Sequence, residues 1–316
     1  MKHAFTFRES GTFTIAQFTD VHWNDWGEPG LNSEEENARS LALMQLVLRE
    51  ERPDLVVFSG DVISAGRCRD PRESFRAAVS AVEESRTPWA VVFGNHDTEA
   101  QITRQELMEV AAGFEYAVAE PGPAAVSGVG NYILHVRDGE GNVGAALYFF
   151  DSGNLSALSH VEGYDWIRRD QIGWYERESR HLTNVNGGRP LPALAFLHIP
   201  LPEYREVWES QTCYGHKYEE VCCPPVNSGL FAAMVEMGDV MGTFVGHDHI
   251  NDYTGTLHGI RLCYGRATGF NTYGREGFPR GARMIQMKEG ERDFDTWLRL
   301  EDGSTVTKQP EHRPCR

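Results

Sequence analysis

Six short apolar runs in this chain each end in polar residues of the kinds that bind cations. FTIAQFTDVH delivers Asp20 and His22, DLVVFSGDV delivers Asp61, and WAVVFGNHD delivers Asn95 and His96. Further on, ALYFFDSGN ends in Asp151, ALAFLHIPL in His198, and MGTFVGHDH in His247 and His249. Each run has the length and the β-branched or aromatic content of a strand. Strands this continuously apolar are covered on both faces, which restricts the chain to a layered α/β architecture.

Helical patterns fill the gaps. In NSEEENARSLALMQLVLREERPD, apolar residues recur at helical spacing from Ala38 to Leu48, Ser33 and Glu36 have capping-box spacing, and Pro53 ends the helix. Helices are also expected after Pro71 in PRESFRAAVSAVEES, and in TRQELMEVAAGF, DQIGWYERESRHL and SGLFAAMVEMG. AEPGPAAVSGVG reads as a loop before the strand NYILHVRDG, and RDGEGN as the turn into VGAALYFF. With no low-complexity linker in view, residues 1–316 are expected to form one domain.

Charge and cysteine content narrow the class. Thirty Lys and Arg against 46 Asp and Glu leave a net charge of −16, which repels duplex nucleic acid. The N-terminal stretch has no continuous apolar core of signal-peptide type, and no run reaches the ~18 apolar residues of a membrane span. A soluble, cytoplasmic protein with no membrane partner is expected. Six cysteines in a chain this long suggest reduced thiols, with Cys213, Cys222 and Cys223 as a weaker metal-binding alternative.

The chemistry lies at the strand ends. Asp20, His22, Asp61, Asn95, His198, His247 and His249 offer carboxylates, imidazoles and an amide oxygen, the donor set of a hard-to-borderline divalent ion. Seven donors exceed the usual share of one ion, and two ions sharing Asp61 would use them all. In an extended segment, residues i and i+2 point to the same side, so the DxH and HxH spacings can each address one cluster. Two such ions hold a bridging hydroxide and clamp the oxygens of an in-line displacement at phosphorus.

The ordered series Asp20-x-His22, Gly60-Asp61, Gly94-Asn95-His96-Asp97, His198 and Gly246-His247-x-His249 resembles the calcineurin-like metallophosphoesterase superfamily. The resemblance implies a four-layer α/β/β/α sandwich of two mixed sheets flanked by helices, with a dinuclear centre at one edge. It implies one ion on Asp20, His22, Asp61 and His249, and a second on Asp61, Asn95, His198 and His247. His96 would protonate the leaving alkoxide, with Asp97 orienting its imidazole. The ions would be Mn, Fe or Zn. The substrate would be a small phosphate ester, with diesters favoured over monoesters; a phosphomonoesterase or protein phosphatase, or a non-catalytic metal-binding scaffold, are the alternatives. Purple acid phosphatases of this superfamily carry a tyrosine ligand three residues after the bridging Asp; here that position is Ser64. With FLHIPLPEY, VNSGLF and GHDHINDY, the chain looks like the purple-acid-phosphatase-like branch that lacks this tyrosine.

Several residues remain open between substrate contact and plain structure: Asp151, Tyr164, His216, Asp248, Asn251, Asp252, Tyr253 and the arginines Arg67, Arg69, Arg72 and Arg76. Oligomeric state is not specified by any of these motifs.

Overall fold

The apolar runs form strands, and the strands sort into two mixed sheets. The computed structural model describes residues 4–26, 32–99 and 102–314. Its first half contains β1 (Phe5–Thr6), β2 (Thr12–Phe18), α1 (Ser33–Glu51), β3 (Leu55–Ser59), α2 (Pro71–Glu84), β4 (Trp89–Val92), α3 (Arg104–Ala112), β5 (Tyr132–Arg137) and β6 (Val143–Phe149). Its second half contains α4 (Arg169–Val185), β7 (Ala193–Phe196), α5 (Glu203–Ser210), β8 (Cys213–Tyr214), α6 (Leu230–Met237), β9 (Val240–Val245), β10 (Thr254–Leu257) and β11 (Ile260–Tyr264). The chain closes with β12 (Gly281–Lys288), β13 (Phe294–Leu300), β14 (Thr305–Val306) and β15 (Glu311–His312).

One sheet has six strands in the order β14-β13-β12-β2-β3-β4, the other nine in the order β1-β5-β6-β7-β9-β11-β10-β8-β15. Strands β2, β3 and β4 run parallel, as do β6, β7, β9 and β11, so the carboxyl ends of each group share one edge.

Three apolar cores explain why the strands are buried on both faces. Phe13, Ile15, Leu55, Val57 and Ile285 from one sheet meet Leu134, Leu147, Phe196 and Phe244 from the other, forming the layer between the sheets. The outer face of the six-stranded sheet packs Phe18, Phe58 and Val91 against Met44, Val79 and Leu107 of α1, α2 and α3. The outer face of the nine-stranded sheet packs Tyr148, Ala195 and Leu262 against Tyr175, Tyr204 and Met234 of α4, α5 and α6. This is the expected four-layer sandwich. Among the described residues no helix is long and apolar enough to cross a membrane.

Local signals at the helix ends held in part. Asp70 caps α2 by accepting from the amides of Arg72 and Glu73, with Pro71 in the first turn. The capping box expected at Ser33 and Glu36 does not form: Ser33 lies inside α1, and its Oγ donates to Asn24 Oδ1 at 2.9 Å, tying the helix start to the loop after His22. A capping box forms instead at Thr103 and Glu106 of α3. Helix α5, in the stretch EYREVWES, is an element the sequence reading did not foresee.

Candidate metal centre

Five parallel strands deliver the predicted donors to one place: β2 leads to Asp20 and His22, β3 to Asp61, β4 to Asn95 and His96, β7 to His198, and β9 to His247 and His249. Ligand-capable atoms of Asp20, His22, Asp61 and His249 lie within 4.8 Å of one another, as do those of Asp61, His198 and His247. Asp61 is common to both groups. His198 Nε2 stands 3.0 Å and His22 Nε2 3.6 Å from Asp61 Oδ2, while His249 Nε2 stands 3.4 Å from Asp20 Oδ1.

The backbone reaches this arrangement by a route the spacing argument did not anticipate. Asp20, His22, Asp61 and His247 all take the left-handed conformation, with φ of 54°, 50°, 50° and 77°. DxH is therefore kinked rather than extended, and its two side chains converge because the backbone turns, not because alternate residues share a side. Such backbone is disfavoured for a residue with a Cβ and persists only where its surroundings dictate it. Here the two segments zip together, Asp20 N donating to Gly60 O at 3.1 Å and His22 N to Asp61 O at 2.9 Å. Close approach also dictates two glycines. A Cβ on Gly94 would stand 2.1 Å from Asp61 Oδ1, and one on Gly246 would stand 1.9 Å from Thr19 Oγ1.

Whether these residues suit divalent ions can be judged from the polar atoms they leave over. Asp61 Oδ2, Asn95 Oδ1 and His247 Nε2 are buried without a hydrogen-bond partner, a costly condition unless another group satisfies them. The surrounding hydrogen bonds prepare imidazoles as ligands: His198 Nδ1 donates to Ser59 O at 2.9 Å, and His22 Nδ1 and His249 Nδ1 lie 2.9 Å from the hydroxyls of Ser64 and Thr272. The electrostatics agree. Burial, with neighbouring imidazoles, drives His22 well below its ordinary pKa and His247 down to about 3. Burial opposes the charged form of His198 as well, yet Asp61 and Asp20 hold it up at about 9. The donors thus call for positive charge at Asp61 and supply neutral imidazoles around it, which fits a pair of divalent cations that displace the remaining proton.

Residues 13–251 match the family described as calcineurin-like phosphoesterase. The chain belongs to this family. Among the relatives of this calcineurin-like phosphoesterase, "Probable inactive purple acid phosphatase 29" of Arabidopsis thaliana is 33% identical, over 94% of this chain and 84% of that protein. "Phosphatase DCR2" of Saccharomyces cerevisiae is 36% identical over 92% of this chain, which spans 54% of that protein. A crystal structure of a dimetal phosphatase from Danio rerio shares the fold, with a TM-score of 0.60 and 15% identity over 94% of this chain and 99% of that one.

The phosphoesterase's other predicted residues divide sharply. His96 stands at the centre, its ring centroid 5.0 Å from that of His22 and its amide donating to Asp61 Oδ1 at 2.8 Å. Asp97 does not touch the His96 ring. Its carboxylate is buried and accepts from the amides of Ile63 at 2.9 Å and Gly94 at 2.7 Å, so it fastens the loop rather than orienting the imidazole. The carboxylate that does reach the ring is that of Glu99, whose Oε1 lies 2.5 Å from His96 Nδ1.

Tyr164 reaches the site, its ring edge-on to His247 with centroids 4.5 Å apart. Tyr273, which the sequence reading passed over, stacks on His249 with centroids 4.2 Å apart and donates to Glu219 at 2.8 Å. Most of the remaining open residues have partners within the fold. Asp151 accepts from Val129 N and Gly153 N, and Asp248 from Tyr264 and Cys222 N. Asn251 accepts from the amides of Tyr218 and Glu219, while Tyr253 donates to Tyr204 O. Asp252 accepts from His216 N and pairs with Arg266, and His216 stacks on Tyr218. Arg72 and Arg76 pair with Glu106 and Glu73, and Arg69 lies over Trp26. Among the described residues, Cys213, Cys222 and Cys223 join no metal-ligand cluster.

Proposed function

We propose that this chain hydrolyses small phosphate esters, diesters in preference to monoesters, with two divalent ions, Mn, Fe or Zn, at the strand-end cluster. Asp20, His22, Asp61 and His249 would hold one ion, and Asp61, Asn95, His198 and His247 the other. The observation that carries this reading is the set of buried atoms without hydrogen-bond partners, Asp61 Oδ2, Asn95 Oδ1 and His247 Nε2, one after each of three strands. Bound there, two divalent ions supply an activated water and neutralise phosphoryl oxygens.

The chain's own groups do the rest. Asp61 and Asp20, buried among imidazoles, hold the positive charge in place. His96, partly exposed in the 3-10 turn that follows β4 and Asn95, protonates the oxygen that leaves phosphorus. Residues 1–316 act as one unit in this reading, and the free Cys68, Cys213, Cys222, Cys223 and Cys263 suit the reducing cytoplasm.

A second reading, a metal-binding scaffold without turnover, is favoured by the word "inactive" in the name of the Arabidopsis relative. The His96–Glu99 pair speaks against it, because a scaffold has no use for a proton donor held at the centre. The deciding experiment adds Mn²⁺, Fe²⁺ or Zn²⁺ back to metal-stripped protein and measures initial rates on bis-aryl and mono-aryl phosphates, with His96→Ala as control. Metal-restored hydrolysis that is faster on diesters is the expected result. Stoichiometric binding of two ions with no turnover would select the scaffold.

A further inference from the structure

We propose that Glu99 is the positioning residue for His96, fixing the imidazole tautomer so that the transferable proton sits on Nε2. This rests on the phosphoesterase reading. The geometry begins with the turn His96–Thr98, a single turn of 3-10 helix directly after Asn95. In a 3-10 turn, side chains at i and i+3 eclipse, which brings Glu99 back over His96 and sends Asp97 elsewhere. Glu99 Oε1 lies 2.5 Å from His96 Nδ1, and no described residue hydrogen-bonds to Nε2. Space for the carboxylate comes from Gly66, where a Cβ would stand 3.3 Å from Glu99 Oε2. The backbone beneath the ring is held independently, by His96 N on Asp61 Oδ1 and by Asp97 on Gly94 N and Ile63 N. Glu99 therefore acts on the ring, separately from the contacts that hold the backbone.

The proton balance follows from that contact. As the bond from phosphorus to the leaving oxygen breaks, its electron pair stays on oxygen, and the Nε2 proton moves to that oxygen. The ring is left neutral with Nδ1–H on Glu99, and solvent returns a proton to Nε2. Without Glu99 the neutral ring shares its proton between both nitrogens and loses its fixed orientation.

The test joins spectroscopy on metal-free protein to kinetics on the metal-loaded enzyme. Long-range ¹H–¹⁵N spectra of ¹⁵N-histidine protein, with His96 assigned by its loss in His96→Ala, should show neutral His96 protonated on Nδ1. Glu99→Gln, which keeps an acceptor oxygen, should retain that tautomer, and Glu99→Ala should give a mixture. In the loaded enzyme, Glu99→Ala should lower kcat on alkyl esters roughly 10- to 100-fold with KM little changed, and less on p-nitrophenyl esters. Glu99→Gln should fall between parent and Glu99→Ala. In a His96→Ala background, Glu99→Ala should cost nothing further. An unchanged tautomer in Glu99→Ala, or an equal rate loss with and without His96, overturns the assignment. If the loaded parent hydrolyses no phosphate ester, the phosphoesterase reading falls, while the tautomer still decides whether Glu99 controls the ring.

Discussion

The two sheets contribute to the centre unequally. The six-stranded sheet brings Asp20, His22, Asp61, Asn95 and His96 from the adjacent strands β2, β3 and β4, and with them both carboxylates. From the nine-stranded sheet, β7 and β9 bring only imidazoles, His198, His247 and His249. Both carboxylates of the cluster thus reside on one side, and on the other only imidazoles. Neither side is complete alone, so the centre depends on how the sheets are held together. Arg283 of β12 is fully buried and crosses that junction, donating to Tyr264 O at 2.5 Å and Asp252 O at 2.6 Å on the nine-stranded side.

The largest expected effect tests the shared carboxylate. Asp61→Asn should strip or disorder both ions and lower hydrolysis by several kcal/mol of barrier, roughly 10³-fold or more, as read by metal analysis and initial rates. His249→Ala and His247→Ala should each remove one ion. If Asp61→Asn keeps two tightly bound ions, the division between the sheets is wrong.

His96→Ala comes next and separates acid from ligand on the six-stranded side. Both ions should remain, with turnover of alkyl esters down by about 10²- to 10⁴-fold and aryl esters affected less. Loss of an ion would make His96 a ligand.

Asp252→Asn probes the junction. It leaves Arg266 buried without its partner and should cost roughly 3–5 kcal/mol at neutral pH in urea melts of metal-free protein. Burial opposes ionisation of Asp252, but its hydrogen bond with His216 and the charge of Arg266 outweigh it and hold the carboxyl below the usual range. Its contribution is therefore present above about pH 4 and is lost as pH falls through the folded value, so the gap between parent and variant should close at acid pH. A gap that widens on acidification would remove the Asp252 carboxylate from the account.

The smallest effect is Gly246→Ala, where the new Cβ meets Thr19 Oγ1 and Asp20 Oδ2 across the junction. Overpacking of about 1–3 kcal/mol is expected, with weaker binding of the ion on Asp20. Unchanged stability and metal affinity would mean that the sheets give way at this point.

The sequence by itself determined the layered α/β class, because doubly buried strands must be apolar throughout, and it determined the donors, because few residue types ligate a divalent ion. Their order along the chain marked one centre. Only the tertiary structure decided how those donors converge: the left-handed backbone of Asp20, His22, Asp61 and His247 is dictated by neighbouring strands, not by local preference. It also decided between Asp97 and Glu99, two acids near one histidine in NHDTE. A 3-10 turn returns the third residue onward to the imidazole and turns the adjacent one into the loop, a distinction set by backbone geometry that residue types do not carry. Tyr273 and Arg283 were equally hidden, since each acts across a sequence separation that only packing closes.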